Sequence, residues 1–541
     1  MIKPRESSAM RHVLLACWLL GCVVPALAQR RSPQLLMLGE VKHDVSLPLW
    51  QMSEACGGIG ILGPKVPFTV FAMPPRWSEE YYGAGQDQHE FDQQEAGPLT
   101  ATIGLSFEGI AAINDPGQVP PDTNGAVGAT QFVQWVNVLF AVYDKTTGHQ
   151  VQAPRPGKTL WSGFGGPCET NNSGQPLAQY DKAAARWVMA QPVLVRPFTY
   201  CVAVSTTSDA TGTYNRYAFP FPADDYPGYG KLAVWPDAYY ASFNIYQNGP
   251  TGQFVGPMVV AFDRANMLTG SKARPPIAFQ LTPADFSLLP SDFDGTVPPA
   301  TSEPNFFLEL GSDQDSLSLF KFYVDFTSSE TSGNSAFKGP IRIPTARYLG
   351  CTRRPSTWKS IEEPLPGAPL APLGDRLMYR LAWHNVGGVE HLVANHSVMP
   401  SSGSAGAAVR WYDITSPNGT PVVAQQGTFS SPSTSFWMGS IAMDKQGDIA
   451  LGFSASSRTL DPSIEYTGRL SSDPPDQMEP ARFIKKGTGV QLNTGLWGAY
   501  SSMSIDPADD CTFWYTTEYI RTTGSGNWNT RIASLRFQSC P

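Results

Sequence analysis

The stretch Ser440–Ser456, SIAMDKQGDIALGFSAS, returns sixty-two residues later as Ser502–Glu518, SMSIDPADDCTFWYTTE. Ser440, Met443, Asp444, Asp448, Leu451, Phe453 and Ser454 fall against Ser502, Ile505, Asp506, Asp510, Phe513, Tyr515 and Thr516. Each copy reads as strand, Asp-bearing turn, strand. A second phrase, an aromatic and an Asp closing a strand, recurs in Tyr143-Asp144-Lys145, Tyr180-Asp181-Lys182, Phe262-Asp263-Arg264 and Tyr412-Asp413. A sandwich has no reason to repeat these phrases, whereas a propeller repeats one four-stranded meander whose faces are buried only when neighbours stack.

The meanders open near Gly125, Gln179, Leu232, Asn305, Leu377, Ser440 and Ser502, which predicts an all-β, seven-bladed β-propeller. The Pro-rich stretch Cys351–Asp375 interrupts the spacing, so six or eight blades also fit. The last strand-like run ends almost at the C-terminus, and Thr100–Gly109 is the expected missing strand of the closing blade.

Three segments follow. Residues 1–28 carry Lys3, Arg5 and Arg11, an apolar core and the small-residue site Ala26-Leu27-Ala28, the layout of a cleaved export signal. A lipoprotein box at Leu19–Cys22 is the rival, but apolar residues rather than a polar tether follow Cys22. Residues 29–100, acidic and Gln-rich around Arg76–Pro98, read as a partly ordered N-terminal appendage. Residues 101–541 hold the propeller.

A net charge of −8, without a cluster of Lys and Arg, offers no face for nucleic acid or an anionic membrane. After the signal, no apolar run reaches the ~20 residues of a membrane span. The expectation is a secreted, monomeric protein, periplasmic or extracellular. Loss of Cys17 and Cys22 with the signal leaves six of the eight cysteines, which implies disulfides. Cys511 and Cys540 flank two strand-like runs about Thr523–Asn527 and form the first expected pair. Cys168 with Cys201 is next, and Cys56 with Cys351 is left by elimination.

From about Lys42 onward the chain resembles a family of secreted, mostly uncharacterised bacterial propeller-like proteins. The phrases that carry the likeness include PPDTNGAVG, LWSGFGGPCETNN, YDKAAARWVMAQ, CVAVSTTSDATGTYNRYAF, VWPDAYY and WMGSIAMDKQGDIALGFSASS. The resemblance implies the fold and export, and carries no activity. Where that family tends to read Arg-Trp-Gly-Asp-Tyr, this chain has Leu496–Tyr500. Where it tends to read Arg-Asn-Phe-Gly-Asp-His-Glu, this chain has His384–Glu390. The Asp turns are also similar to the Asp-boxes of sialidases, which are structural turns and speak to fold alone.

Several motifs fail on context. Gly58–Gly63 matches a dinucleotide fingerprint, but Pro64 and Pro67 follow where a helix should open. Pro156–Thr159 lacks the first glycine of a phosphate loop. His384 and His391 face each other across a Gly387-Gly388 hairpin as a candidate metal pair, with His396 on the opposite face. Asp122–Gly125 and Glu169–Gly174 place oxygens before a glycine and make calcium a candidate cofactor. Ordinary Asx turns explain the same residues. Trp235, Trp437 and Trp497 offer stacking platforms or blade packing.

The function expected is binding of an extracellular glycan or peptide at the mouth of the central channel. Asp122, Asn124, Trp235, Asp237, Asn395, His396 and Tyr500 are the candidate ligand-binding residues. The alternatives are a glycoside hydrolase or polysaccharide lyase using Asp122, Glu169, Asp237 or His396, and a surface structural protein marked by a plugged channel.

Overall fold

The computed structural model describes residues 33–39, 42–52, 90–92, 100–114, 118–327, 334–351, 361–401 and 405–540. The chain forms two units, Met1–Ser32, which lies outside those residues, and Pro33–Pro541, which holds every element below. The expected export signal over 1–28 and the glycine run Gly58–Gly63 therefore fall outside the described residues.

The protein is all-β, and its strands group into successive antiparallel meanders. The first comprises Thr123–Val127, Gln131–Val136, Leu139–Asp144 and Gln150–Pro156. The second comprises Leu177–Asp181, Arg186–Val193, Thr199–Ser205 and Tyr214–Pro220. The third is Asp225–Val234, Tyr239–Gln247, Phe254–Phe262 and Ile277–Gln280. The fourth is Leu289–Phe293, Asn305–Leu310, Ser316–Tyr323 and Ala336–Pro344. The fifth is Met378–Val386, Val389–Met399, Ala408–Thr415 and Val422–Ser430. The sixth is Ser435–Met443, Ile449–Ser457, Leu460–Arg469 and Arg482–Lys485. The seventh is Ser502–Ile505, Phe513–Ile520 and Trp528–Arg536, completed by the N-terminal strand Thr102–Ala111. The segment read as the missing strand thus occupies that place.

The first strand of each meander neighbours the first strand of the next, and that of the seventh returns to the first. Named bonds join five of the circuit's seven steps. Ala178 N–H donates to Asn124 Oδ1 at 2.6 Å, and Val234 N–H to Asp292 Oδ1 at 2.9 Å. Ser291–Phe293 runs parallel to Leu381–Trp383, Met503 N–H donates to Ser440 Oγ at 2.9 Å, and Ser502 Oγ donates to the Gly125 carbonyl at 2.7 Å. These inner strands are buried along nearly their whole length because both their faces meet neighbours, and their polar side chains, such as Asn124, Asp292 and Ser440, bond across to the next strand. Outer strands such as Val422–Ser430 expose part of their length.

Both repeated phrases are turn chemistry. Asp444 Oδ1 accepts the Gln446 and Asp448 N–H groups at 2.9 and 3.0 Å. Asp506 Oδ1 accepts the Ala508 N–H at 2.9 Å, and its Oδ2 accepts Trp514 Nε1–H at 3.1 Å. The strands of the sixth and seventh meanders pack so closely that a Cβ at Gly452 would collide with the Tyr515 ring. In the second phrase the cations bridge meanders: Lys145 to Asp506 at 2.9 Å, Lys182 to Asp294 at 2.7 Å and Arg264 to Asp181 at 2.6 Å.

The described parts of the appendage lie on sheet edges. Gln34–Met37 adds to the third meander, Lys42–Val45 to the second and Glu90–Asp92, in parallel, to the fifth. Asp44 fixes the second of these through both oxygens to Arg216, at 2.8 and 2.7 Å.

Cys511–Cys540 and Cys168–Cys201 are bridged. The hairpin register sets Phe513 against Leu535, which leaves Cys511 opposite Phe537; the chain then turns back to bring Cys540 within reach. The third expected pair is corrected. Cys351 is a free thiol packed inside the protein near Gly374, and Cys56 lies outside the described residues. Elimination assumed that every exported cysteine pairs, whereas a buried thiol is inert and packs as a small apolar side chain.

Candidate functional site

The inner strands begin alike. Asp122, Gln175, Ser287 and Ala499 precede the first strands of their meanders with φ of 48°, 51°, 51° and 64°. Tyr229 and Met438, with φ of 54° and 56°, lie at bulges of theirs, and Leu373, at 49°, stands ahead of Met378. Left-handed backbone is uncommon outside glycine, so its recurrence marks one repeated entry into the ring.

Side chains from these entries converge. Lys231 Nζ sits 3.4 Å from the Tyr229 ring centroid and 4.3 Å from that of Tyr500, and donates to the Gly230 carbonyl at 2.9 Å. The Arg376 guanidinium also stacks on Tyr229, at 4.5 Å, and on Phe286, at 5.0 Å, while Asp375 accepts from it at 2.6 and 2.9 Å. The tyrosines are pinned by their hydroxyls, Tyr229 to the Ala499 carbonyl and Tyr500 to the Pro176 carbonyl, each at 3.1 Å. Gln175 Oε1 accepts the Tyr229 N–H at 2.9 Å.

Asp122 and Glu518 complete the cluster, and each keeps a buried carboxyl oxygen, Oδ1 and Oε2, without a hydrogen-bond partner. Burial pushes the Asp122 carboxyl up to about 7, against the nearby Lys231 charge and a backbone N–H at Gln175. Burial likewise holds Glu518 well above the usual carboxylate range, although the Gly498 N–H donates to its other oxygen. Lys231 is held well below the usual amine range, again by burial. The cluster thus combines aromatic walls, an amine, a guanidinium and two carboxyls that resist ionisation, chemistry suited to gripping hydroxyl or amine donors or to moving a proton.

Farther along the ring axis the space is occupied. Gln179 donates to the Tyr379 hydroxyl, which donates in turn to the Leu232 carbonyl at 3.3 Å. Arg380 reaches Asp292 and Asp294, each at 2.6 Å, and the Met503 carbonyl at 2.7 Å.

Of the residues expected to line a rim, Asp122 and Tyr500 meet in the cluster, and Asn124 lies two residues along in the strand that follows Asp122, its Oδ1 taken by Ala178. The other four lie elsewhere. Trp235 is six residues past Tyr229, about 20 Å along an extended chain. It is buried against Trp383 and Phe306, at 5.5 and 6.0 Å, and Asp237 beside it accepts from Tyr240 at 3.2 Å. Asn395 and His396 sit in the second strand of the fifth meander, His396 stacked on Tyr412, edge-on to Tyr348 and forced down to about 3 by burial. Strand alternation sent these into blade packing.

The remaining candidates are also structural. His384 and His391 are cross-strand partners, as expected, but His384 bonds Asp510 at 2.9 Å and His391 bonds Asp413 at 2.8 Å. Glu169 spends both oxygens on the Gly163 and Gly165 N–H groups, at 2.7 and 2.6 Å, and Thr123–Gly125 is strand rather than loop. Among the described residues no three His, Cys, Asp or Glu side chains group as a metal site. Trp497 donates to Ser454 Oγ at 3.1 Å and packs on Trp437 at 5.6 Å. Lys231 and Glu518 were missed. Their signal was a charge inside a strand-like run rich in apolar and aromatic residues, in GYGKLAVW and FWYTTEYI.

No family model and no curated protein matches the chain. Among solved structures it is similar to an exo-beta-1,3-galactanase from Phanerochaete chrysosporium, at 10% identity over 81% of this chain and 99% of that one, with a TM-score of 0.29. Drosophila Semaphorin 1b gives 8% identity over 84% and 88%, with a TM-score of 0.32. A glycoside hydrolase gives 11% identity over 57% and 86%, with a TM-score of 0.29. At these scores none of them assigns a ligand or a reaction to this chain. No helix among the described residues is long and apolar enough to cross a membrane.

Proposed function

We propose that this chain is an exported, seven-bladed β-propeller that binds an extracellular glycan or peptide at the end of the ring where the inner strands begin. The reading rests on two orphan oxygens, Asp122 Oδ1, near Lys231 and Tyr500, and Glu518 Oε2, whose carboxyl lies near Asp122. Buried polar atoms are nearly always satisfied, so these two oxygens call for a partner, which a ligand donor would supply. A sugar fits this chemistry, because its hydroxyls donate to carboxyl oxygens. The two disulfides fit an oxidising compartment.

The enzyme reading rests on a separate observation, two carboxyls whose ionisation burial delays, as a general acid requires. The filled ring axis favours a structural role instead. One experiment separates all three: the mature chain and its Asp122→Asn and Lys231→Met variants on glycan and peptide arrays, with product release followed by chromatography. Binding without turnover that both variants lose supports the proposal. Turnover lost with Asp122 makes the protein an enzyme, and no binding at any concentration leaves the structural role.

A further inference from the structure

The dipeptide Asn-Gly occurs three times, at Asn124-Gly125, Asn248-Gly249 and Asn418-Gly419. Its chemistry is internal: the glycine nitrogen can attack the side-chain carbonyl carbon of the asparagine, because no Cβ on the glycine blocks the approach. The fold holds the three pairs in different states. Asn124-Gly125 lies inside a fully buried strand, with Oδ1 held by the Ala178 N–H. At Asn418-Gly419 the nitrogen that would attack is engaged, since Gly419 N–H donates to the Ser416 carbonyl at 3.0 Å.

Asn248-Gly249 differs on both counts. It stands in the turn between Tyr239–Gln247 and Phe254–Phe262, with Asn248 exposed and its backbone left-handed at φ 66°. No described residue accepts the Gly249 N–H, and a Cβ on that glycine would meet nothing within 4 Å. The side-chain carbonyl of Asn248 is meanwhile polarised. Arg196 Nη2 donates to Asn248 Oδ1 at 3.3 Å, and the guanidinium is held in place by Asp224 Oδ1 at 2.8 Å and the Ala223 carbonyl at 3.0 Å. A nucleophile without a partner thus neighbours a carbonyl that a cation already touches.

We propose that Asn248-Gly249 is a self-modifying site, at which the Gly249 nitrogen closes on Asn248 Cγ while Arg196 holds the oxygen that becomes negative. The N–Cγ bond forms, the Cγ–Nδ2 bond breaks, and the side-chain amide leaves as ammonia with the proton of the Gly249 N–H. Water then opens the cyclic imide at either carbonyl, giving Asp or isoAsp at position 248. A donor aimed at the developing oxyanion lowers the barrier as an oxyanion hole does, and because the Arg196 side chain is 51% exposed the gain is modest. The product carboxylate faces Asp224 across Arg196, and isoAsp also lengthens the main chain by one carbon.

The test needs no ligand. The mature chain is incubated at mildly alkaline pH, and peptide mass spectrometry follows conversion at each Asn-Gly pair, with Asp and isoAsp separated by chromatography. Asn248 is expected to convert at least tenfold faster than Asn418, with Asn124 unchanged. In urea, where Arg196 no longer reaches the turn and Gly419 is released, Asn248 and Asn418 should convert within threefold of each other. Arg196→Met should slow Asn248 at least threefold and leave Asn418 alone, and Arg196→Lys should slow it by less. The site is overturned if Asn418 keeps pace with Asn248 in the folded chain, or if the difference persists in urea. It is equally overturned if Arg196→Met leaves the Asn248 rate unchanged or raises it, since a faster variant marks a turn that Arg196 merely restrains.

Discussion

Gln179, in the inner strand of the second meander, donates its side-chain amide to the hydroxyl of Tyr379, in that of the fifth. Strands that are not neighbours in the circuit are thus tied through the middle of the ring. Tyr379 is buried, its ring 6.1 Å from Tyr500, so the tie also supports the wall of the candidate site. Tyr379→Phe keeps the packing and removes two bonds, leaving the Gln179 amide its 3.3 Å bond to the Leu232 carbonyl, for a loss of about 1 kcal/mol. Tyr379→Ala adds a cavity and should cost about 3–5 kcal/mol. Urea unfolding followed by tryptophan fluorescence checks both values.

Asp444 gives a pH dependence. Burial, with Asp448 and Asp510 adding their charge, pushes its carboxyl up to about 7, although two backbone N–H groups donate to Oδ1. The groups around it are Asp448, bonded to Ser471 and Ser539, and Asp510, bonded to His384; Lys445 reaches the Asp509 carbonyl. Because the folded-state value is raised, the folded protein holds this proton more tightly than the unfolded chain. Stability is then complete below the unfolded value near 4 and falls as pH rises toward 7. Asp444→Asn keeps the Oδ1 acceptor and offers a donor to the neighbouring carboxylates. It should therefore raise stability by about 1–2 kcal/mol at pH 8 and change little at pH 3.5. Asp444→Ala strands both N–H donors and should lose about 1–3 kcal/mol at pH 5. Melting curves across that range, with midpoint against pH, distinguish the two substitutions.

Asp506 is the structural counterpart without a free oxygen, since Lys145, Ala508 and Trp514 all donate to it. Asp506→Asn should therefore destabilise at neutral pH, by about 1–3 kcal/mol, through loss of the charged partner of Lys145. The opposite signs of the two Asn substitutions, in turns that align in sequence, follow from this one difference in partners.

Non-reducing peptide mapping should recover Cys168 with Cys201 and Cys511 with Cys540. Cys351 should react with a thiol reagent only after unfolding, because it is buried and burial pushes its thiol up. Replacing Cys511 and Cys540 together by Ser should lower stability by about 3–4 kcal/mol, the scale for closing a loop of their 29-residue separation.

The periodic features were legible in the sequence. The Asp turns announced themselves through matched positions in two copies, the Gly387-Gly388 hairpin set His384 against His391, and the N-terminal strand was found because the seventh meander lacked a partner. The site was only partly legible, since it depends on which face a residue takes and on contacts between distant segments. Asp122 and Tyr500, expected from their place next to strand openings, do come together, whereas Asn395 and His396, expected by the same rule, lie one strand away from the axis. Lys231 and Glu518 stood in strands that read as core, where a charge is the exception that should have drawn notice.

The ligand site proposed for this protein is the Asp122, Lys231 and Glu518 cluster. The direct measurement is binding of the mature chain to arrayed extracellular glycans and peptides, repeated with Asp122→Asn, Glu518→Gln and, as a comparison within the blade packing, Asp237→Asn. The expected result is a ligand whose affinity falls at least tenfold in the first two variants, with folding retained by circular dichroism, and stays within twofold in the third. Affinity unchanged in Asp122→Asn and Glu518→Gln, or lost only in Asp237→Asn, would place the site at the other end of the inner strands and contradict the account.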